Sequence, residues 1–164
     1  MDTVQITCTL KDIPTFLGVY PSDLLPTAIH KTGTVIINVD PHTREGSHWL
    51  AIHFDTRLSW ASYFDSYGRA SSDPNILSFT KRNSAVWSYN TTSLQGPTSV
   101  VCGQYCCIFT RYMDKRITAL QFVRLFIAVD DTDRQVVEMF KAQFGPVCGT
   151  PRGGQCCKPS SLTE

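Results

Sequence analysis

Residues 95–107 read Gln-Gly-Pro-Thr-Ser-Val-Val-Cys-Gly-Gln-Tyr-Cys-Cys, and the fold turns on how this stretch is divided. Gly96-Pro97 fixes a turn. Ser99 is available as an N-cap, and Val101, Tyr105, Ile108, Phe109 and Tyr112 recur at helical spacing up to Lys115. The apolar stripe predicts a buried helix with Cys102 in its first turn. Unpaired backbone N–H groups and the helix dipole favour negative charge there, so a thiolate is stabilised and Cys102 becomes a candidate nucleophile. Cys106 and Cys107 lie a full turn further in and read as small buried hydrophobes.

Upstream, the pattern changes from helical to extended. Thr34–Val39, Trp49–Asp55, Trp60–Asp65 and Ala85–Tyr89 are short β-branched or aromatic runs bounded by turn residues, as strands require, and a hairpin joins the middle two. A short helix is expected at 9–14, leading into Phe16-Leu17-Gly18-Val19-Tyr20, and a helical turn at Asn75–Phe79 after Pro74. Downstream, two more helices are expected near 118–129 and 131–143. The fold class is α+β: a central mixed β-sheet packed against helices, with the cysteine at the N-terminus of a buried one.

A cysteine nucleophile needs a base and a group to orient it. His48 opens the strand His-Trp-Leu-Ala-Ile-His-Phe-Asp and Asp65 closes the next, so antiparallel pairing brings both to one edge of the sheet. His53 is the rival base. It has the opposite parity to Leu50, Ile52 and Phe54 and is expected on the other face of the sheet. His30 and His42 fall in polar or Pro-flanked loops with no carboxylate in evidence. Gln95 reads either as a turn residue or as an amide that joins the Cys102 backbone N–H in binding an oxyanion. The chain order His, Asp, Gln, Cys differs from that of papain-like enzymes, in which the cysteine comes first.

Ser47-His48-Trp49, Tyr63-Phe64-Asp65-Ser66-Tyr67-Gly68 and the 95–107 stretch together resemble the His, acid, Gln and Cys motifs of the adenovirus maturation protease (adenain) family, whose clan includes the ubiquitin-like-protein proteases. Phe16–Tyr20 is similar to a segment near that family's N-terminus, and the likeness covers about residues 10–115. The resemblance implies the adenain-like cysteine protease fold and gives His48 as base, Asp65 as orienting acid, Gln95 as oxyanion donor and Cys102 as nucleophile. Trp49 and Gly103 would line the substrate site, with the Trp49 ring either against the imidazolium or in the core. It also implies a viral endopeptidase that matures particles by cutting capsid or core precursor proteins beside glycine, at Gly-Gly or Gly-x-Gly sites, in the host nucleus or cytoplasm and in the virion. Asp65 stands where adenoviral enzymes usually carry Glu. An activating virion-derived peptide and DNA are the cofactors the family implies, but no cysteine lies between Cys8 and Cys102 to pair with such a peptide, so it would bind non-covalently.

Composition bounds these readings. With 164 residues and 42% hydrophobic content, the chain supports one domain with a substantial core. The formal net charge of +1 supplies no global basic field for DNA or anionic membranes. No apolar run approaches the roughly 18 residues of a membrane span, and Asp2 and Lys11 do not suit a signal peptide. The 7 cysteines are unevenly placed, a poor disulfide framework, and are expected to be free thiols.

A protease domain at 1–145 is thus expected, followed by a Gly/Pro/Cys-rich flexible tail at 146–164 with a candidate self-cleavage site at Pro151–Gln155. Two alternatives compete with the endopeptidase. One is a cysteine protease that removes ubiquitin or a ubiquitin-like protein, whose tails also end in Gly-Gly. The other is a metal-binding interaction module using Cys148, Cys156 and Cys157, although the adjacent pair lacks the usual C-x₂₋₄-C spacing and no metal is expected.

Overall fold

The computed structural model describes residues 1–147. The tail from 148 on, with the Pro151–Gln155 site and the proposed metal ligands Cys148, Cys156 and Cys157, lies outside the described residues.

Five strands form one mixed sheet in sequential order: β1 (Phe16–Pro21), β2 (Gly33–Asn38), β3 (Trp49–Asp55), β4 (Trp60–Phe64) and β5 (Val86–Tyr89). The outer pairs, β1 with β2 and β4 with β5, are parallel; β2–β3 and β3–β4 are antiparallel. In the β3–β4 hairpin Ala51 pairs with Phe64. The residues just beyond, His48 and Asp65, therefore leave the sheet at the same end.

Alternation along the strands divides the core in two. Trp49, Ala51, Ile36 and Phe64 face a cluster built by α1 (Thr3–Leu10), α3 (Cys102–Asp114), α4 (Ala119–Arg124) and α5 (Thr132–Phe144). Leu50, Ile52, Phe54, Val35, Ile37 and Tyr63 face the other side, packing on Ile76 and Phe79 of α2 (Pro74–Asn83). The first cluster is aromatic at its centre: the Phe64 ring stacks on Phe109 at 4.8 Å and meets Phe122 edge-on at 5.2 Å. This packing seats α3 on the middle of the sheet.

Several boundaries differ from expectation. The first helix spans Thr3–Leu10 rather than 9–14, and its signal is a capping box in which Asp2 and Gln5 exchange side-chain and backbone bonds. Its β-branched residues, Thr3, Val4, Ile6, Thr7 and Thr9, hide the helical pattern. The turn expected at Asn75–Phe79 is a ten-residue helix, capped by Asp73 with Pro74 in its first turn. The helix expected at 118–129 ends at Arg124 and continues as turns. Among the described residues no helix is long and apolar enough to cross a membrane.

Candidate active site

Cys102 is the first residue of α3 and is buried. Ser99 does not cap this helix: Val101 occupies the N-cap position, and no side chain bonds to the first-turn N–H groups. That leaves them free for the sulfur, and the backbone N–H groups of Gly103 and Trp49 both lie against it. Burial pushes the Cys102 thiol up, but its hydrogen bond to His48, those N–H groups and the imidazolium charge together hold it below the usual thiol value.

His48 Nε2 donates to Asp65 Oδ1 at 2.8 Å. With that nitrogen committed, Nδ1 is the atom left for the Cys102 sulfur, and the two side chains are hydrogen bonded. Burial pulls the imidazole pKa down; the Asp65 carboxylate and the Cys102 thiolate outweigh it and raise it from 6.5 to about 9. Both shifts point the same way. Together they favour the imidazolium–thiolate form of the pair.

Asp65 is fixed from three sides. Its Oδ1 also accepts the Tyr67 N–H at 2.9 Å, its N–H donates to Asn90 Oδ1 at 2.9 Å, and its carbonyl accepts from Asn90 Nδ2 at 2.7 Å. Asn90 follows β5 directly, so the edge strand delivers the group that holds the acid.

Gln95 is buried and its amide orientation is determined by its neighbours. Ser66 Oγ donates to Oε1 at 2.6 Å, while Nε2 donates to the Ser99 carbonyl at 2.7 Å, an atom that can only accept. The second Nε2–H rests on the Tyr67 hydroxyl at 3.2 Å. The loop carrying Gln95 is clamped from the far end of the chain. Asp133 Oδ2 accepts the Gly96 N–H at 3.0 Å, Thr132 Oγ1 donates to the Leu94 carbonyl, and Tyr105 OH lies 3.1 Å from Asp133 Oδ1.

The ring stacked on His48 belongs to Tyr67, at 4.8 Å between centroids and 30° between planes. Trp49 instead packs in the core and donates its Nε1–H to the Met1 carbonyl at 2.9 Å. Gly103 faces the same segment, where a Cβ would come within 2.9 Å of Met1 Cβ. A cavity of about 340 Å³ opens beside Trp49, between Met1–Thr3, Val19–Pro21 and the 40–46 loop.

The other histidines stand apart. His53 shares the α3-facing side of β3, as its parity requires, and bonds to Thr34 Oγ1 at 2.9 Å; burial lowers its pKa. His42, expected to have no carboxylate near it, pairs with Asp23 at 2.6 Å. The two residues come from different loops, and only the folded β1–β2 ends bring them together. Cys106 and Cys107 are fully buried, and burial pushes both thiols well up, the opposite of Cys102. Among the described residues no group of three or more His, Cys, Asp or Glu side chains is placed to hold a metal ion.

The chain is 29% identical over 113 residues to the protease of human adenovirus B serotype 3, covering 58% of this chain and 53% of that relative. By this likeness the chain is a divergent relative of that protease. No family model matches it. It spans about half the length of the adenovirus protein. Two crystal structures of ASFV pS273R protease share the fold, with TM-scores of 0.65 and 0.53 at 17% and 21% identity, covering 87% and 70% of this chain and 66% and 44% of theirs. The α+β class and the mixed sheet packed by helices therefore stand as expected for an adenain-like chain.

Proposed function

We propose that this adenain-like protein is a cysteine endopeptidase that cleaves viral precursor proteins next to glycine during particle maturation. The observation that carries the reading is the hydrogen-bonded series Cys102–His48–Asp65, with the Gln95 amide held in the same pocket wall. The fold, the adenovirus relative and the opposed shifts of Cys102 and His48 support it.

Cleavage is acyl transfer through a thioester. The Cys102 thiolate attacks the scissile carbonyl carbon, and the negative charge moves to the carbonyl oxygen. The Cys102 backbone N–H and Gln95 Nε2–H take up that charge. Collapse of the adduct breaks the C–N bond, and the His48 imidazolium passes its proton to the leaving amine. Neutral His48 then accepts a proton from water as the hydroxide attacks the thioester, releasing the acid and restoring the ion pair. Asp65 orients the ring and stabilises its charge throughout.

Trp49 and Gly103 would line the substrate site, with the cavity beside Trp49 taking one side of the substrate chain. A narrow groove that only glycine can thread would explain the glycine requirement. Activation by a virion peptide would be non-covalent, acting in the virion and the infected cell. The near-neutral chain argues against DNA as a strong cofactor.

Profiling the purified protein on a peptide library spanning Gly-Gly and Gly-x-Gly, with and without virion peptides and DNA, tests the reading. Glycine-directed cleavage lost in Cys102→Ala is expected. Cleavage confined to folded ubiquitin-like conjugates would replace it with the deconjugating alternative.

A further inference from the structure

Tyr67 touches Asp65, His48 and Gln95 alike, although nothing in the motif spacing singles it out. Its backbone N–H holds Asp65 Oδ1 at 2.9 Å, its ring stacks on His48 at 4.8 Å, and its hydroxyl accepts from Gln95 Nε2 at 3.2 Å. We infer that Tyr67 is a positioning residue that sets the His48 ring plane with its own ring and the Gln95 amide with its hydroxyl, coupling the proton-transfer and oxyanion halves of the site. The inference rests on the proposed protease reading.

The two contacts have different chemistry. The stacked ring presents a π-face to a ring that is cationic at rest, an attraction that favours the imidazolium and fixes the plane in which Nε2 reaches Asp65 and Nδ1 reaches sulfur. The charged groups around this stack are Asp65 and Cys102 on His48, and Arg69, whose guanidinium carbon lies 5.8 Å from the Tyr67 ring centroid. The hydroxyl contact is a neutral and fairly long hydrogen bond. It keeps the second Gln95 N–H directed until a charged oxygen, a stronger acceptor, replaces the phenol. Ser66 and Ser99 hold the rest of the amide, so Tyr67 governs the one hydrogen that they leave unassigned.

Two substitutions separate the contacts. Tyr67→Phe keeps the ring and removes the hydroxyl; Tyr67→Ala removes both. With N-acetylglycine p-nitrophenyl ester as substrate, Tyr67→Phe is expected to lower kcat by about tenfold, the worth of one hydrogen bond, with KM unchanged. In a Gln95→Ala background the same substitution is expected to change nothing, because the hydroxyl acts through Gln95. Alkylation of Cys102 by iodoacetamide across pH should give the parental profile for Tyr67→Phe. For Tyr67→Ala the alkaline inflection should move down by about half a pH unit, the scale of an exposed cation–π contact.

An unchanged or higher kcat for Tyr67→Phe, equal losses in both backgrounds, or a parental pH profile for Tyr67→Ala would each overturn the inference. A parent protein that turns over no ester would count against the protease reading instead. The alkylation profiles, which need no turnover, would still decide for or against the ring's role.

Discussion

Replacing Asp65 by Asn isolates charge from shape. The amide oxygen still accepts from His48 Nε2 and from the Tyr67 N–H, both of which converge on Oδ1. Only the negative charge is lost. Burial opposes the rise of the His48 pKa from 6.5 to about 9, and four influences drive it: the hydrogen bonds and the charges of Asp65 and of Cys102. Asp65 acts through both a hydrogen bond and its charge, and Asn keeps the first and removes the second. An opposite charge this close shifts a pKa by about 1–3 units, so its loss is worth about 1.4 kcal/mol or more at 1.36 kcal/mol per unit.

The sign follows from the direction. A raised histidine value means that the imidazolium's contribution to stability is fully present below pH 6.5 and is lost as pH climbs through about 9. In Asp65→Asn that loss, and the break-up of the ion pair, should come about one pH unit earlier or more. The assay is the rate of iodoacetamide alkylation of Cys102 against pH, with the modified peptide identified by mass spectrometry. The parent should show an alkaline inflection near 9. The variant should show it displaced toward neutrality, with peptide cleavage at pH 8 down by about twofold or more as the imidazolium fraction falls. Asp65→Glu should lie between the two. An Asp65→Asn profile superimposable on the parent's would remove the carboxylate from the mechanism.

Other perturbations test separate parts of the structure. Cys102→Ala should abolish both peptide cleavage and labelling by a thiol-directed electrophile at neutral pH, whereas Cys106→Ala, whose thiol is buried and raised, should leave labelling intact. Phe64→Ala removes the ring stacked between Phe109 and Phe122 and should cost about 3–5 kcal/mol of stability in urea denaturation; a loss below 1 kcal/mol would contradict the packing. Activation by any virion peptide should persist in a reductant series, since the described cysteines apart from Cys102 are buried or sit on α1. Activation that needs a cysteine in the peptide and vanishes on reduction would overturn that expectation.

The sheet and the meeting of His48 with Asp65 were legible because a period-two pattern and one short hairpin determine both. What escaped reading depends on longer-range contacts. Ser99 looks like a cap, but its carbonyl serves Gln95 and the helix starts at Cys102 without a side-chain cap. The uncapped first-turn N–H groups face the Cys102 sulfur instead. Asn90 reads as loop polarity until β5 pairs with β4 and sets it beside Asp65. Tyr67 follows the acid by two residues and carries no periodic signal of its own. His42 meets Asp23 only through the closure of two loops.

The clamp from α5 onto the Leu94–Gly96 loop sets an order of events in time. Residues are added in chain order, so His48, Asp65 and Cys102 are all made before Thr132 and Asp133. A nascent chain folded only through α4 holds a sulfur and an imidazole, while the loop that presents Gln95 still lacks its fastening. On the proposed protease reading, the loop that presents Gln95 is complete only once the last described helix has docked.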